Sequence, residues 1–252
     1  MREGLHGYLD QARASLPPRR AAPKALIAPH AGYTYSGSVA ASAFVLLEGA
    51  PGLVARVVLL GPSHHVAFTG LAIPSHAAFD TPLGSVPIDQ DARNTLCRLP
   101  FVQVRDDAHR WEHCLEVQLP FLQQVLDCFS VLPVAVGQAT ARQVDEALEV
   151  LWGGSETLIV VSSDLSHYHE YATAKRMDAA TAAAIESLDP ERIGPDDACG
   201  RVAVQGLLQA ARRHSLVPRR LDLRNSGDTA GSRHEVVGYG AWAFTASKNG
   251  AP

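Results

Sequence analysis

Three short apolar runs in this 252-residue chain are each followed, within four residues, by a side chain that can bind metal or move protons. These side chains are His30, His64 and Asp164. Neutral imidazole binds iron, copper, zinc and nickel, and a carboxylate can orient such an imidazole. Titratable groups that cluster in this way are typical of a functional site. The pattern therefore predicts one metal site, with His30 and His64 as ligands.

Two further histidines, His167 and His113, are candidates for proton transfer. His167 lies three residues after Asp164, so both would face one pocket if the chain is helical there. An imidazole titrates near neutral pH and can act as a general acid or base. His113 lies between Glu112 and Glu116, but the segment contains no HExxH motif, and His113 is expected in or beside the pocket wall. We therefore predict that His167, Asp164 and His113 support catalysis.

Less specific interpretations of the same residues stay open at this point. His30 and His64 could bind only backbone groups or substrate, and Asp164 could cap a helix. A serine hydrolase that pairs Ser162 or Ser163 with His167 is conceivable, although the chain has no GxSxG motif. The chain also contains neither a GxGxxG nor a Walker A motif.

The apolar runs that precede these residues read as buried strands. They are rich in β-branched residues and end in turn formers, as parallel strands covered on both faces do. Helical patterns lie between and after them, at 38–48, 112–127, 140–152, 171–188 and 197–214. The sequence thus predicts an α/β fold, in which a central, mostly parallel mixed sheet is flanked by helices. Ligands of such folds bind beyond the carboxyl ends of the strands.

Composition limits the domain count, the partners and the compartment. The hydrophobic share of 46% suits one large domain over 1–252, with 1–23 as a lead-in segment. A net charge of -4 and a pI of about 6.2, without a long basic tract, argue against nucleic-acid binding. No apolar run approaches the ~18 residues of a membrane helix, and no signal peptide begins the chain. We expect a cytoplasmic protein without membrane contact.

The cysteines predict neither a disulfide framework nor a zinc motif. The chain has 4 cysteines and none forms a CxxC pair. In a reducing compartment all are expected to be free thiols, and none is expected to bind the metal. The four residues are Cys97, Cys114, Cys128 and Cys199.

Five motifs in fixed order resemble the Memo family. They are Ala-Pro-His-Ala-Gly-Tyr at 28–33, Leu-Gly-Pro-Ser-His-His at 60–65, Glu-His-Cys-Leu-Glu-Val-Gln-Leu-Pro at 112–120, Ser-Ser-Asp-Leu-Ser-His-Tyr at 162–168 and Cys-Gly-Arg at 199–201. The family is similar in fold to the class III extradiol ring-cleaving dioxygenases, which use non-haem Fe(II). In bacteria and archaea its members often accompany an AMMECR1-type protein and a radical SAM protein, and the resemblance implies these as partners.

The resemblance also implies a metal pocket lined by His30, His64, Asp164 and His167, and it raises the question of a third ligand. At the position of the third ligand the dioxygenases have a glutamate late in the chain, and some Memo members have a cysteine. This chain has no cysteine after position 199, so Asp228 is the predicted ligand. With the two histidines it would form a two-His-one-carboxylate face. The alternative is that Asp228 stabilises an Asx-type turn, and the Cys-Gly-Arg segment is expected to pack around its arginine.

Three functions follow as hypotheses. The first is a metal-dependent oxidoreductase, a non-haem iron dioxygenase that acts on a small aromatic or oxygenated ring, with Fe(II) as the metal and copper or zinc as alternatives. The second is a Memo-like scaffold that binds a metal or a peptide without catalysis. The third, less supported, is a metal-dependent hydrolase.

Overall fold

The computed structural model describes residues 1–15, 22–48 and 52–247. Its described strands are β1 (Ala25–Ala28), β2 (Arg56–Pro62), β3 (Leu71–Ile73), β4 (Ala78–Thr81), β5 (Gly84–Pro87), β6 (Val102–Val104), β7 (Ser130–Val136), β8 (Thr157–Ser162), β9 (His167–His169), β10 (Leu216–Asn225) and β11 (Val236–Ala246). Nine of them form one mixed sheet in the order β10-β11-β1-β8-β2-β7-β3-β6, with β9 paired to β11. The strands β4 and β5 form a separate antiparallel pair.

Helices cover both faces of this sheet. The described α-helices are α1 (Arg2–Ser15), α2 (Tyr33–Phe44), α3 (Gln90–Leu96), α4 (Asp107–Arg110), α5 (His113–Glu116), α6 (Leu119–Val125), α7 (Ala141–Leu151), α8 (Tyr171–Glu186) and α9 (Arg201–Arg213). Buried residues of α1, α2 and α6 pack on one face, and those of α3, α7, α8 and α9 pack on the other. The protein is therefore a three-layer α/β fold, which confirms the predicted fold class.

The four central strands β1, β8, β2 and β7 run parallel to one another. Every residue of β1 and β8 is buried, because helices cover both faces. The strands β10 and β11 are antiparallel, as is the contact between β3 and β7, so the sheet is mixed. Since β8 lies between β1 and β2, these three strands end side by side at one edge of the sheet. That edge is where His30, His64 and Asp164 follow their strands.

Two helix boundaries differ from the sequence-based prediction. The helix expected at 112–127 is divided into α5 and α6, because Pro120 in the first turn of α6 cannot donate a backbone hydrogen bond and starts a new helix. The helix expected at 197–214 begins only at Arg201. Before it, Asp197 closes a turn by accepting the backbone N–H of Gly194 at 2.7 Å.

The segment around His167 is extended where a helical turn was considered. His167 begins β9, which pairs with the start of β11, and Tyr168 has a left-handed φ of 58°. Strand pairing to β11 therefore overrides the local tendency to form a helix, and Asp164 and His167 do not share a helical face.

The amino-terminal segment contributes more to the core than a lead-in was expected to. Leu5, Leu9 and Ala12 of α1 are buried against the sheet side that carries α2. The rest of the predicted lead-in includes 16–21, which lies outside the described residues. Within the described ranges, no helix combines the length and the apolar character that a bilayer span requires.

Candidate metal centre

Three metal-binding side chains converge at the carboxyl edge of the sheet: His30, His64 and Cys199. One ligand atom from each lies within 4.8 Å of the other two. The His30 Nε2 and Cys199 Sγ atoms are 3.4 Å apart. Imidazole and thiolate ligands on one tetrahedral ion, at bond lengths of about 2.05 and 2.3 Å, stand about 3.6 Å apart. The cluster therefore fits a single transition-metal ion.

The hydrogen bonds around His30 leave its Nε2 lone pair facing the cluster. His30 is buried, and its Nδ1 lies 3.0 Å from Ser162 Oγ. The Ser162 hydroxyl donates its only proton to the carbonyl of Cys114 at 2.6 Å, so it accepts from His30. Nδ1 therefore carries the ring proton and Nε2 is free to bind metal. Burial lowers the pKa of His30, which also favours the neutral, metal-binding form.

His64 is oriented in the same way by a buried carboxylate. Its Nδ1 lies 2.9 Å from Glu112 Oε1, and its backbone N–H donates to Glu112 Oε2 at 2.6 Å. Burial alone would raise the pKa of Glu112, but hydrogen bonds from His64 and from backbone amides outweigh it and lower that pKa to about 2. Glu112 is thus an anion that holds the Nδ1 proton of His64, and Nε2 remains for a metal.

Cys199 completes the cluster just before α9. The backbone N–H of Asp164 donates to its sulfur at 3.3 Å. Burial raises the pKa of the thiol to about 12, so metal binding would have to displace its proton. The sequence analysis expected no cysteine at this site and assigned the Cys-Gly-Arg segment to packing around Arg201. The structure instead places the sulfur against His30. All four cysteines are unpaired, as expected.

Asp228 lies apart from this cluster. Its carboxylate accepts a hydrogen bond from Tyr171 Oη at 2.5 Å and another from the backbone N–H of Asn225 at 3.3 Å. It closes a short 3-10 turn at Ser226–Asp228, in which Asn225 is the reciprocal cap. The structure therefore shows the turn role that was the alternative for Asp228, and the side chain that clusters with His30 and His64 is that of Cys199.

The residues predicted to support catalysis occupy three different positions. Asp164 is buried, and its Oδ1 accepts the backbone N–H of His30 at 2.8 Å, which fixes the loop that carries this ligand. His113 is 55% exposed at its side chain, and its ring centroid lies 5.9 Å from that of His30 and 6.0 Å from that of His64. His167 instead packs beside Tyr168, at a centroid distance of 5.9 Å. Asp164 and His113 thus border the cluster directly.

Sequence reasoning missed Cys199, and a neighbouring glycine is the signal that could have found it. A Cβ at Gly200 would lie 2.6 Å from Ser163 Cβ and 2.9 Å from the carbonyl oxygen of Ser162. Only glycine lets this turn approach the end of β8 so closely. The approach brings the preceding sulfur to the strand edge. A Cys-Gly pair before a helix is thus a signal of backbone contact with the site.

Comparisons with known proteins agree with this architecture. A family model described as Memo-like protein matches residues 2–243. A MEMO1 family protein of Aquifex aeolicus is 34% identical over 249 residues, covering 94% of this chain and 92% of its own length. A MEMO1 family protein of Aeropyrum pernix is 36% identical over 234 residues, covering 86% of this chain and 82% of its own.

A solved structure shows the same fold at low sequence similarity. It is an uncharacterized protein of Escherichia coli K12, 14% identical, with a TM-score of 0.53 over 85% of this chain and 98% of its own. At that identity the likeness concerns the fold alone. The family match and the two relatives extend over most of the chain. The protein therefore belongs to the Memo-like family.

Proposed function

We propose that this protein binds one transition-metal ion through His30 Nε2, His64 Nε2 and Cys199 Sγ. The observation that carries the proposal is the convergence of these three atoms within 4.8 Å, with the other nitrogen of each imidazole already hydrogen-bonded. A thiolate with two imidazoles suits iron, copper or zinc and disfavours magnesium and calcium, which prefer oxygen ligands. Three protein ligands also leave a position for a further molecule.

Metal loading tests this proposal directly. Protein purified without oxygen and reconstituted separately with Fe(II), copper and zinc should hold one equivalent of at least one of these metals. The Cys199→Ser and His64→Ala variants should lose it, because each removes one of three ligands. Cys128→Ser and His65→Ala are matched controls, since both residues are exposed, and they should keep full occupancy. Full occupancy in Cys199→Ser would contradict the proposed centre.

We further propose that the loaded protein is an oxidoreductase that uses oxygen on a small oxygenated ring. The supporting observation is His113, whose ring lies beside both proposed histidine ligands and whose Nδ1 is 4.0 Å from Glu112 Oε1, too far for a hydrogen bond. A half-exposed imidazole there can exchange protons between a bound molecule and solvent. When bound, an iron ion would supply the redox chemistry, while Glu112 and Ser162 would hold the ligand rings in place.

Oxygen consumption distinguishes this activity from metal binding alone. The iron-loaded protein should consume O2 with at least one member of a panel of catechols and related phenols. His113→Ala should lower this rate about 10²-fold or more while metal content is kept, because it removes a proton-transfer group. Metal binding without any oxygen consumption would instead favour the scaffold function.

A further inference from the structure

We propose that a cavity beside Cys199 binds a small, uncharged, oxygen-bearing organic molecule. The proposal rests on the proposed metal centre, because it names the class of molecule that would reach the metal there. The cavity has a volume of about 320 Å³ and lies between the segment after β2, the end of β7 and the first turn of α9. This volume is at the lower end for ligand pockets, about 300–1,000 Å³. It is large enough for one small ring.

Cys199 belongs both to the cavity wall and to the proposed metal centre. The residue lines the cavity, and its sulfur lies 3.4 Å from His30 Nε2. Pro62 and Ser63 line it as well, and they directly precede His64. A molecule in the cavity is thus held next to the backbone segments that carry two of the three ligands.

The walls of the cavity carry no formal charge. None of its 12 lining residues is Asp, Glu, Lys, Arg or His. Val66, Phe68 and Val136 supply an apolar surface. In the metal-free protein a fully charged ligand would lose its hydration there without gaining a counter-ion, and that loss is costly. The lining therefore selects an uncharged molecule with an apolar body.

A few polar groups of the lining residues remain available to a ligand. The side-chain amide of Gln138 makes no hydrogen bond to any described residue, although its backbone is held by Phe68 and Gly70. The backbone N–H groups of Val202 and Ala203, in the first turn of α9, have no acceptor within the described chain. These donors complement a hydroxyl or carbonyl oxygen. Together with the apolar wall they indicate a small alcohol, phenol or ketone.

Close backbone contacts make the cavity rigid. A Cβ at Gly137 would lie 2.4 Å from the Phe68 carbonyl oxygen and 2.7 Å from its ring, so the end of β7 is pressed against this wall. The Gly137 backbone is also paired to Gly70 at 3.0 Å. The aromatic wall is therefore held in place before a ligand arrives, which reduces the entropy cost of binding.

Binding of three one-ring probes tests the proposal. Phenol is neutral at pH 7, benzoate is an anion and benzylamine is a cation. Their dissociation constants are measured by NMR titration with metal-free and metal-loaded protein. In the metal-free protein phenol should bind about tenfold more tightly than either ion, because only the ions lose hydration to an uncharged wall. Equal binding of either ion would overturn the uncharged-ligand assignment, and absence of phenol binding would overturn the site.

Variants locate the probe in this cavity. Ala67→Trp fills the cavity from an exposed lining position, so it should weaken phenol binding about tenfold or more without a folding cost. Ala77→Trp, at an exposed position outside the cavity, is the matched control and should leave binding unchanged. Gln138→Leu removes one donor and should weaken binding about fivefold. Unchanged phenol affinity in Ala67→Trp would place the probe elsewhere and contradict the proposal.

Metal analysis of the same samples separates the two proposals. If the protein binds metal but phenol does not bind in the cavity, only the inference about the ligand fails. If phenol binds as described while no metal is retained by the wild type, the proposed metal centre fails and the cavity assignment stands.

Discussion

At the scale of single residues, the metal centre depends on which nitrogen of each imidazole carries the proton. Ser162 and Glu112 accept the Nδ1 protons of His30 and His64, respectively, at 3.0 and 2.9 Å. Nε2 of each ring is therefore the nitrogen left for a metal; at His64 the hydrogen bond to Glu112 raises the pKa, so a metal would also have to displace a second ring proton. Gln118 supports this arrangement by donating to Ser162 Oγ at 2.8 Å, which leaves that oxygen fully used. Such partners raise metal affinity by fixing the ligand rings.

The Glu112→Gln variant should lower metal affinity about 10- to 100-fold. The amide oxygen can still accept from the His64 ring, but the amide nitrogen cannot accept from the His64 backbone N–H, and the negative charge that makes the imidazole a stronger ligand is gone. Competition with a chelator of known affinity measures the change. Glu116→Gln is the control, because Glu116 is exposed on the same helix and should have no effect. Equal affinities for wild type and Glu112→Gln would show that the carboxylate does not tune the ligand.

At the scale of elements, the sequence predicted the strand ends well but did not predict that Cys199 would lie beside them. His30 and His64 follow parallel strands, so the rule that ligands bind beyond strand ends locates both. Cys199 follows no strand; its Cys-Gly pair indicates a tight turn before α9, but only the packed structure shows that this turn contacts the end of β8. Asp228 lies in a polar loop of the kind that can hold a ligand, but its local turn satisfies its carboxylate. Local hydrogen bonding thus competes with a distant metal role, and spacing alone cannot decide between them.

Gly200→Ala should displace the Cys199 turn. The added methyl group would lie 2.6 Å from Ser163 Cβ, so the turn must move away from the end of β8. We expect a lower thermal unfolding midpoint. We also expect a metal affinity reduced about tenfold or more, because a shift of the turn moves the Cys199 sulfur away from the position that a metal ion requires. Gly4→Ala is the matched control, since a Cβ there meets nothing within 4 Å. A variant with normal midpoint and normal metal binding would contradict the role assigned to this glycine.

The contact between α8 and β11 should make folding stability depend on pH. Asp178 on α8 is buried against Gly238 of β11, and burial raises its pKa from 3.8 to about 6. The folded state therefore binds this proton more tightly than the unfolded state does. The contribution of Asp178 to the free energy of unfolding then decreases as pH rises from about 4 to 6, by up to about 3 kcal/mol, and is constant above that range.

Asp178→Asn removes this titrating group while keeping an acceptor for the Ser166 backbone N–H, which lies 3.1 Å from the carboxylate. Denaturant unfolding at several pH values should show the decline between pH 4 and 6 in the wild type and a smaller decline in the variant. Asp196→Asn, at an exposed position, should keep the wild-type profile. Parallel profiles for wild type and Asp178→Asn would show that the carboxyl is ionised throughout.

At the scale of the whole molecule, the fold class was predictable because the same pattern, an apolar strand followed by a helix, occurs several times along the chain. Four apolar strands with helices between them require a covered, mostly parallel sheet, and β1, β8, β2 and β7 form it. Elements that depend on a single residue or a single contact were harder to predict. The division between α5 and α6 depends on one residue, Pro120, whereas the strand β9 depends on pairing with β11, far along the chain. Long-range pairing of this kind leaves no local pattern in the sequence.

Metal binding should stabilise the whole fold, because the three ligands come from segments that are far apart in the chain. His30, His64 and Cys199 meet only when β1, β2, β8 and the start of α9 are packed together, so the unfolded chain cannot present the same site. A metal at 100 times its dissociation constant then adds about 2.7 kcal/mol to the free energy of unfolding. For a domain of this size that corresponds to a rise of about 5–10 °C in the thermal unfolding midpoint. Differential scanning calorimetry of metal-free and metal-loaded protein measures the rise. Cys199→Ser should abolish it and Cys128→Ser should keep it; a rise of the same size in both variants would show that the metal stabilises the protein from another site.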